Sequence, residues 1–115
     1  MSLKRGDIVL LPFPWTDMSN YKVRPALVVS DDAFNKKNKD AIFLFITSHK
    51  YTSDFDYYLD AKDPAFKHTG LKCSSTFRLS KIITLEQTLA KRRLGFAEKK
   101  LMLKIESGLK LLFNL

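Results

Sequence analysis

The residue types best suited to chemistry in this chain are two arginines and a short run of hydroxyls. Arg24 stands directly before Pro25. Proline fixes its own φ and biases the preceding residue toward extended backbone, so Arg24 leaves the chain from a defined position where a polar loop meets an apolar run. An arginine so placed can grip a phosphate through paired hydrogen bonds and offset charge developing on its oxygens. It is a poor general base because it keeps its proton, and its other use is an ion pair with a loop carboxylate such as Asp17. Thr47-Ser48-His49 close an apolar run. Hydroxyls at a strand end can hold a phosphate or satisfy backbone groups at the turn. Histidine as a residue type suits acid–base work, which makes His49 a candidate, but a two-histidine mechanism needs His68 beside it and nothing in the spacing brings it there. His49 therefore reads first as an exposed turn residue. Arg78 lies in Ser75-Thr76-Phe77-Arg78-Leu79, where alternation sets it on one face with Thr76 and Ser80, opposite Phe77 and Leu79. Lys81 points the other way unless a bulge intervenes. Trp15, Tyr21, Phe34, Tyr51, Phe55 and Tyr57 fall in or beside loops, where aromatics either stack unpaired bases or cover the edges of a small core.

Other chemistries find no support in the spacing. There is no P-loop, GxGxxG, HExxH or GxSxG pattern. Asp31-Asp32 fits a helix cap, and Asp54 with Asp56 reads as an exposed strand face. One cysteine, Cys73, and two histidines give no zinc spacing and no internal disulfide, so no metal or other cofactor is expected. The chain has 115 residues with 20 Lys and Arg against 12 Asp and Glu, a net +8, and 45% hydrophobic residues. That length and apolar content suit a single domain over residues 1–115 and exclude wholesale disorder. The longest apolar run, Ala41 to Ile46, has six residues, far short of the roughly 20 needed to cross a bilayer. The start of the chain lacks a signal-peptide pattern, so a reducing, cytoplasmic setting with no membrane partner is expected. Residues 78–115 hold nine positive and three negative charges, which places +6 of the +8 there. A basic surface favours polyanions, although it also serves as the solvated face of a helix.

The elements that must carry these residues are short strands followed by one helix. Ile8–Leu11, Ala26–Val29 and Ala41–Thr47 are apolar enough for buried strands, with the last central. Residues 15–23 read as an exposed loop, Asp31-Asp32 as the cap of a single helical turn, and Asn35 to Asp40 as a polar turn. Asp54–Leu59 suits an edge strand, and Ser74–Leu79 with Lys81–Leu85 supply one or two more. Leu101, Ile105, Leu109, Leu112 and Phe113 line one helical face, with Met102, Leu103 and Leu111 widening the stripe or facing another subunit. Gly108 within this helix costs about 1 kcal/mol relative to alanine. The approach Gly95-Phe96-Ala97-Glu98 offers no Ser, Thr or Asp as a cap. Strands closed by one helix indicate a small, strongly bent sheet or barrel.

Gly6-Asp7-Ile8-Val9, then Arg24-Pro25-Ala26-Leu27-Val28-Val29-Ser30, then Ile46-Thr47-Ser48 resemble the PemK/MazF-type toxins of toxin–antitoxin systems. Ser75 to Leu85 and the closing Leu94-Gly95 plus helix resemble them too, so the likeness spans nearly the whole chain. It implies a mostly β fold, an SH3-like β-barrel with a C-terminal α-helix, assembled as a homodimer and bound by a cognate antitoxin protein. It also implies a metal-independent endoribonuclease acting on single-stranded RNA, in which the ribose 2′-hydroxyl attacks the adjacent phosphate to leave 2′,3′-cyclic phosphate and 5′-hydroxyl ends. Arg24, Thr47 and Arg78 match the catalytic positions, and Trp15, Tyr21, Ser48, His49, Ser80 and Lys81 are the expected RNA contacts. Several relatives carry an aspartate where this chain has Ser80, and a glutamine is often seen where it has Lys81. A serine hydroxyl is no general base at neutral pH, so the chain resembles the Arg/Thr type of site more than the Arg/Asp type. Two other functions fit the same residues: a non-catalytic SH3-like nucleic-acid-binding module, and a module whose basic groove receives an acidic antitoxin-type peptide.

Overall fold

A computed structural model describes residues 2–13 and 22–115. Six strands, β1 (Asp7–Pro12), β2 (Val23–Val28), β3 (Asp40–Thr47), β4 (Asp56–Leu59), β5 (Ser75–Glu86) and β6 (Arg92–Phe96), form one antiparallel sheet in the order β4-β5-β3-β2-β1-β6. Two helices accompany them, a short α1 (Asp32–Lys37) and the closing α2 (Lys99–Phe113). The mostly β fold with a C-terminal helix is as expected. The barrel is a curled sheet whose outer strands, β4 and β6, do not pair with each other among the described residues.

Both faces of the central strands are buried, which is why β1 and β3 read as nearly unbroken apolar runs. On one face Ile8, Leu27, Leu44, Ile46, Phe77 and Leu79 pack with Leu101, Met102 and Ile105 of α2. On the other, Val9, Leu11, Ala26, Val28, Phe43 and Phe45 form a second cluster. The segment 74–85, expected to supply one or two strands, contributes one bent strand, β5. Leu44 pairs with Ile82 but Ile46 with Phe77, so three extra residues sit in β5 at this point. An odd insertion exchanges the faces. Phe77 and Leu79 join the cluster under α2, whereas Ile83 and Leu85 pack on the opposite one. Ser80 and Lys81 lie inside this irregular stretch.

Local details depart from expectation in two places. Asn35, read as part of a polar turn, belongs to α1 and is buried; it accepts a hydrogen bond from the Ser30 hydroxyl and donates to the Leu3 and Ser30 carbonyls. Asp31 caps α1 as expected by accepting from the Ala33 amide at 2.9 Å. Helix α2 does have a side-chain cap: the Glu98 carboxylate accepts from the Leu101 amide at 2.9 Å, doing at one methylene's greater reach what aspartate usually does. Its far end closes on Asn114, whose φ of 57° is a left-handed conformation that asparagine tolerates. Of the apolar residues flanking the main stripe of α2, Met102 is buried, but Leu103 and Leu111 are exposed. Tyr57 packs at the edge of the helix-side cluster. Burial pushes its phenol above the ordinary tyrosine range, and the negative charge of Asp63 acts in the same direction.

Two glycines let the outer strand β6 meet the turn Phe66–His68 and the residues after it. A Cβ at Gly95 would stand 2.3 Å from the His68 carbonyl oxygen, and one at Gly70 only 2.1 Å from that of Leu94. Gly108 is likewise a packing position, since a Cβ there would stand 2.3 Å from Cδ1 of the buried Leu79. Helix propensity favours Gly108→Ala by about 1 kcal/mol, while overpacking a filled core costs about 1–3 kcal/mol. The steric cost is expected to win, so the variant should melt below the wild type in a thermal unfolding experiment. A gain equal to the helix increment would show that Leu79 moves aside freely.

Candidate functional site

The strand register decides which predicted residues can meet. Leu11 pairs with Arg24, Ala26 with Phe45 and Thr47 with Thr76, while Thr76 also pairs with Tyr58. Pairing between β2 and β3 ends at Ala26, next to Pro25, which has no N–H to contribute. Continued by two residues, the same register sets Arg24 opposite Thr47. Beyond the last paired residues lies a cleft of about 520 Å³ lined by Arg24, Thr47, Ser48 and Ser75, with Leu10, Pro25 and Ile46 as apolar wall. Lys72 and Arg92 add two cations to its lining. Two other concavities of the surface contain none of these residues, and neither combines arginine with strand-end hydroxyls.

Arg24 is half-buried, and its guanidinium carbon lies 5.8 Å from the centre of the Phe13 ring. Phe13 in turn meets Phe45 edge-on at 5.1 Å, and Phe45 pairs with Ala26 on the neighbouring strand. The arginine is thus carried on an aromatic pair anchored in the second core cluster. Thr47 accepts from the His49 amide through its hydroxyl at 3.2 Å. Thr76, fully buried, donates from its hydroxyl to the His49 carbonyl at 2.8 Å and accepts from the Tyr51 amide at 3.2 Å. The two threonines therefore fold the segment after β3 back against the sheet.

Arg78 stands elsewhere. Its Nε donates to Asp56 Oδ1 at 2.8 Å across the β4–β5 pair, and its guanidinium carbon lies 3.7 Å from the centre of the Tyr51 ring. It does not line the cleft with Arg24 and Thr47. Asp56 corrects an expectation: its carboxylate is only 6% exposed, because the register sets Arg78 directly across from it. His49 is exposed, with its ring edge-on to Tyr51 at 4.9 Å. Ser80 is exposed and Lys81 half-buried in the irregular stretch of β5. His68 is far from this arrangement in role, stacking its ring on Phe96 of β6 at 5.1 Å. Trp15 and Tyr21 lie outside the described residues. Among the described residues no three His, Cys, Asp or Glu side chains converge on one point. Also among them, no helix is long and apolar enough to cross a membrane.

Sequence reasoning passed over Asp56, Lys72 and Arg92 as site residues. Asp56 had a detectable signal in its alternation with Phe55 and Tyr57, the pattern of a half-buried strand. Arg92 had none, since the short, charged Arg92-Arg93 pair conceals a strand that only pairing with β1 reveals.

A curled antiparallel sheet closed by one helix here carries a cleft lined by an arginine, a strand-end threonine and two further cations, groups whose N–H and O–H donors are of the kind that can bind a phosphate. Residues 4–113 match the family of PemK-like, MazF-like toxins of type II toxin–antitoxin systems, and the chain belongs to that family. Comparison with curated protein sequences gave no match. Among solved structures, an endoribonuclease in complex with its cognate antitoxin from Mycobacterial species is similar at a TM-score of 0.80 and 20% identity, over 99% of this chain and 97% of that one. MazE-MazF from Deinococcus radiodurans is similar at 0.77 and 22% identity, over 100% and 99%. The Mycobacterium tuberculosis toxin MazF-mt6 is similar at 0.76 and 16%, over 95% and 97%. At these identities the likeness is one of fold.

The Arg78–Asp56 pair can be tested by a double-mutant cycle. Arg78→Ala leaves a buried carboxylate unpaired and should cost about 3 kcal/mol or more in denaturant unfolding. Adding Asp56→Ala should recover part of that loss, giving a coupling above about 1 kcal/mol. Additive effects would show that the two side chains do not depend on each other.

Proposed function

We propose that the chain is an endoribonuclease of the PemK/MazF type that cuts single-stranded RNA in the cleft between Arg24 and Thr47. The observation that carries this reading is the cleft itself: it joins an arginine, three hydroxyl side chains and two further cations at the point where β2–β3 pairing stops. Family membership supports it, as do similar folds described as endoribonucleases.

The cleft suits internal transfer at phosphorus. The ribose 2′-hydroxyl attacks the adjacent phosphorus, the bond to the 5′-oxygen breaks, and the products carry a 2′,3′-cyclic phosphate and a 5′-hydroxyl. Arg24, held by Phe13 and by strand β2, stabilises the extra charge on the phosphorane oxygens and hydrogen-bonds the leaving oxygen while keeping its own proton, so that the 2′-hydroxyl gives its proton to solvent and the leaving 5′-oxygen takes one from solvent. The Thr47 hydroxyl contacts the scissile phosphate. Ser48, Lys72 and Arg92 bind neighbouring phosphates and sugars, with His49, Ser80 and Lys81 further along the strand path. Arg78, engaged through Nε by Asp56, contributes fixed charge and positioning. No metal ion is required by these steps. A cognate antitoxin protein occupies the same basic surface, in keeping with the antitoxin complexes of similar folds, and the working unit is a homodimer.

Cleavage of a long single-stranded RNA, with its 5′ ends mapped, should persist in EDTA. Arg24→Ala should lower kcat by about 10²–10³-fold, the effect of removing one charge-stabilising donor. Full activity in that variant would remove Arg24 from the mechanism, and salt-sensitive binding without any cleavage would favour a non-catalytic RNA-binding module.

His49 provides a separate check. As an exposed turn residue, His49→Ala should cleave within a few-fold of wild type. A loss of about 10²-fold or more would mark it as an acid–base group.

A further inference from the structure

Beside the cleft, one aromatic side chain is held in a way that core packing does not explain. Tyr51 is 37% exposed, yet it is fixed from several directions. Its amide donates to the buried Thr76 hydroxyl at 3.2 Å, and its ring centre lies 4.9 Å from that of His49 with the two planes inclined at 60°. The Arg78 guanidinium lies against the ring, 3.7 Å from its centre. That guanidinium is itself immobilised by the Asp56 carboxylate, which is 6% exposed. An ordinary surface tyrosine covers apolar neighbours; this one rests on a cation that is tied to a buried anion. The result is a rigid aromatic plane at the surface, already ordered before any ligand arrives, so that a second ring can stack without an entropic cost for fixing the first.

Tyr51 follows Ser48 by three residues. At about 3.4 Å per residue its backbone lies within roughly 10 Å of the cleft lining, within reach of a nucleotide next to the cleavage point. We propose that Tyr51, backed by Arg78 and Asp56, is a stacking platform for one unpaired nucleobase of the bound RNA. The proposal rests on the endoribonuclease reading and adds to it a subsite that senses the presence of a base. Asp56 and Arg78 act here as positioning residues for the ring.

The test uses oligoribonucleotides spanning a mapped cleavage site, or oligouridylate of equal length if no RNA is cut, each with a single base-free ribose at successive positions. Cleavage is measured as kcat/KM. Binding is measured by fluorescence anisotropy on the same series with a 2′-deoxy residue at the scissile position, which the enzyme cannot cut. In the wild type, removing the base at one position should weaken binding by about 5- to 100-fold. In Tyr51→Leu the intact RNA should bind more weakly by a similar factor, and removing that same base should make no further difference. Tyr51→Phe, which keeps the ring, should behave as wild type. The proposal is overturned if Tyr51→Leu retains the wild-type penalty at every base-free position, or if it binds intact RNA as tightly as wild type. Base-dependent binding through Tyr51 without cleavage would instead overturn the endoribonuclease reading and leave the platform standing.

Discussion

The site depends on where one ladder of hydrogen bonds stops. Strands β2 and β3 pair through Val28, Leu27 and Ala26, and the next residue back along β2 is Pro25. Without an N–H, proline cannot extend the ladder as another residue would. Its ring also restrains Arg24 to extended backbone. A single residue therefore both ends the pairing and aims the arginine, while β1 continues to hold β2 through Leu11 and Pro12. Thr47 reaches the other side of the gap because β3 remains paired with β5 to its last residue. An open end between two well-supported strands gives a cleft with rigid walls, a better base for positioned chemistry than a mobile loop.

Much of this could be read from the residue order, because it is written in local terms. The apolar runs of β1, β2 and β3, the Asp31 cap and the period of α2 are each fixed by neighbours within a few positions. Arg24 and Thr47 stand out for the same reason, at strand ends marked by Pro25 and by a hydroxyl run. What could not be read is set by pairing at a distance. Asp56 looks like one of two exposed acids until register sets it against Arg78, 22 residues later. The three-residue irregularity in β5 leaves no mark in composition, yet it exchanges faces between Leu79 and Ile83. Glu98 carries no cap signal because glutamate seldom fills that role, though its carboxylate reaches the Leu101 amide.

The basic character of the chain also looks different once partners are known. Arg5 is paired with Glu106, Arg78 with Asp56 and Arg93 with Asp7. Arg93 and Arg78 also lie near the rings of Phe96 and Tyr51. These arginines hold the fold together: Arg5 ties the start of the chain to α2, and Arg93 ties β6 to β1. The cations in the cleft come from different elements, β2, β6 and the segment before β5. Net charge thus describes the polyanion affinity of the surface only loosely, since three of the arginines are engaged by carboxylates of the same chain.

The contact between β6 and the turn at Phe66–His68 bears on how the molecule meets its own copies. An outer strand of a sheet is a template on which another chain can add a strand, the first step of uncontrolled aggregation. Here the absence of side chains at Gly70 and Gly95 lets the chain after the turn press directly on the backbone of β6. A foreign strand approaching that edge would first have to displace this covering segment. Gly70→Ala or Gly95→Ala would force this segment off β6 and so uncover backbone that it shields in the native fold.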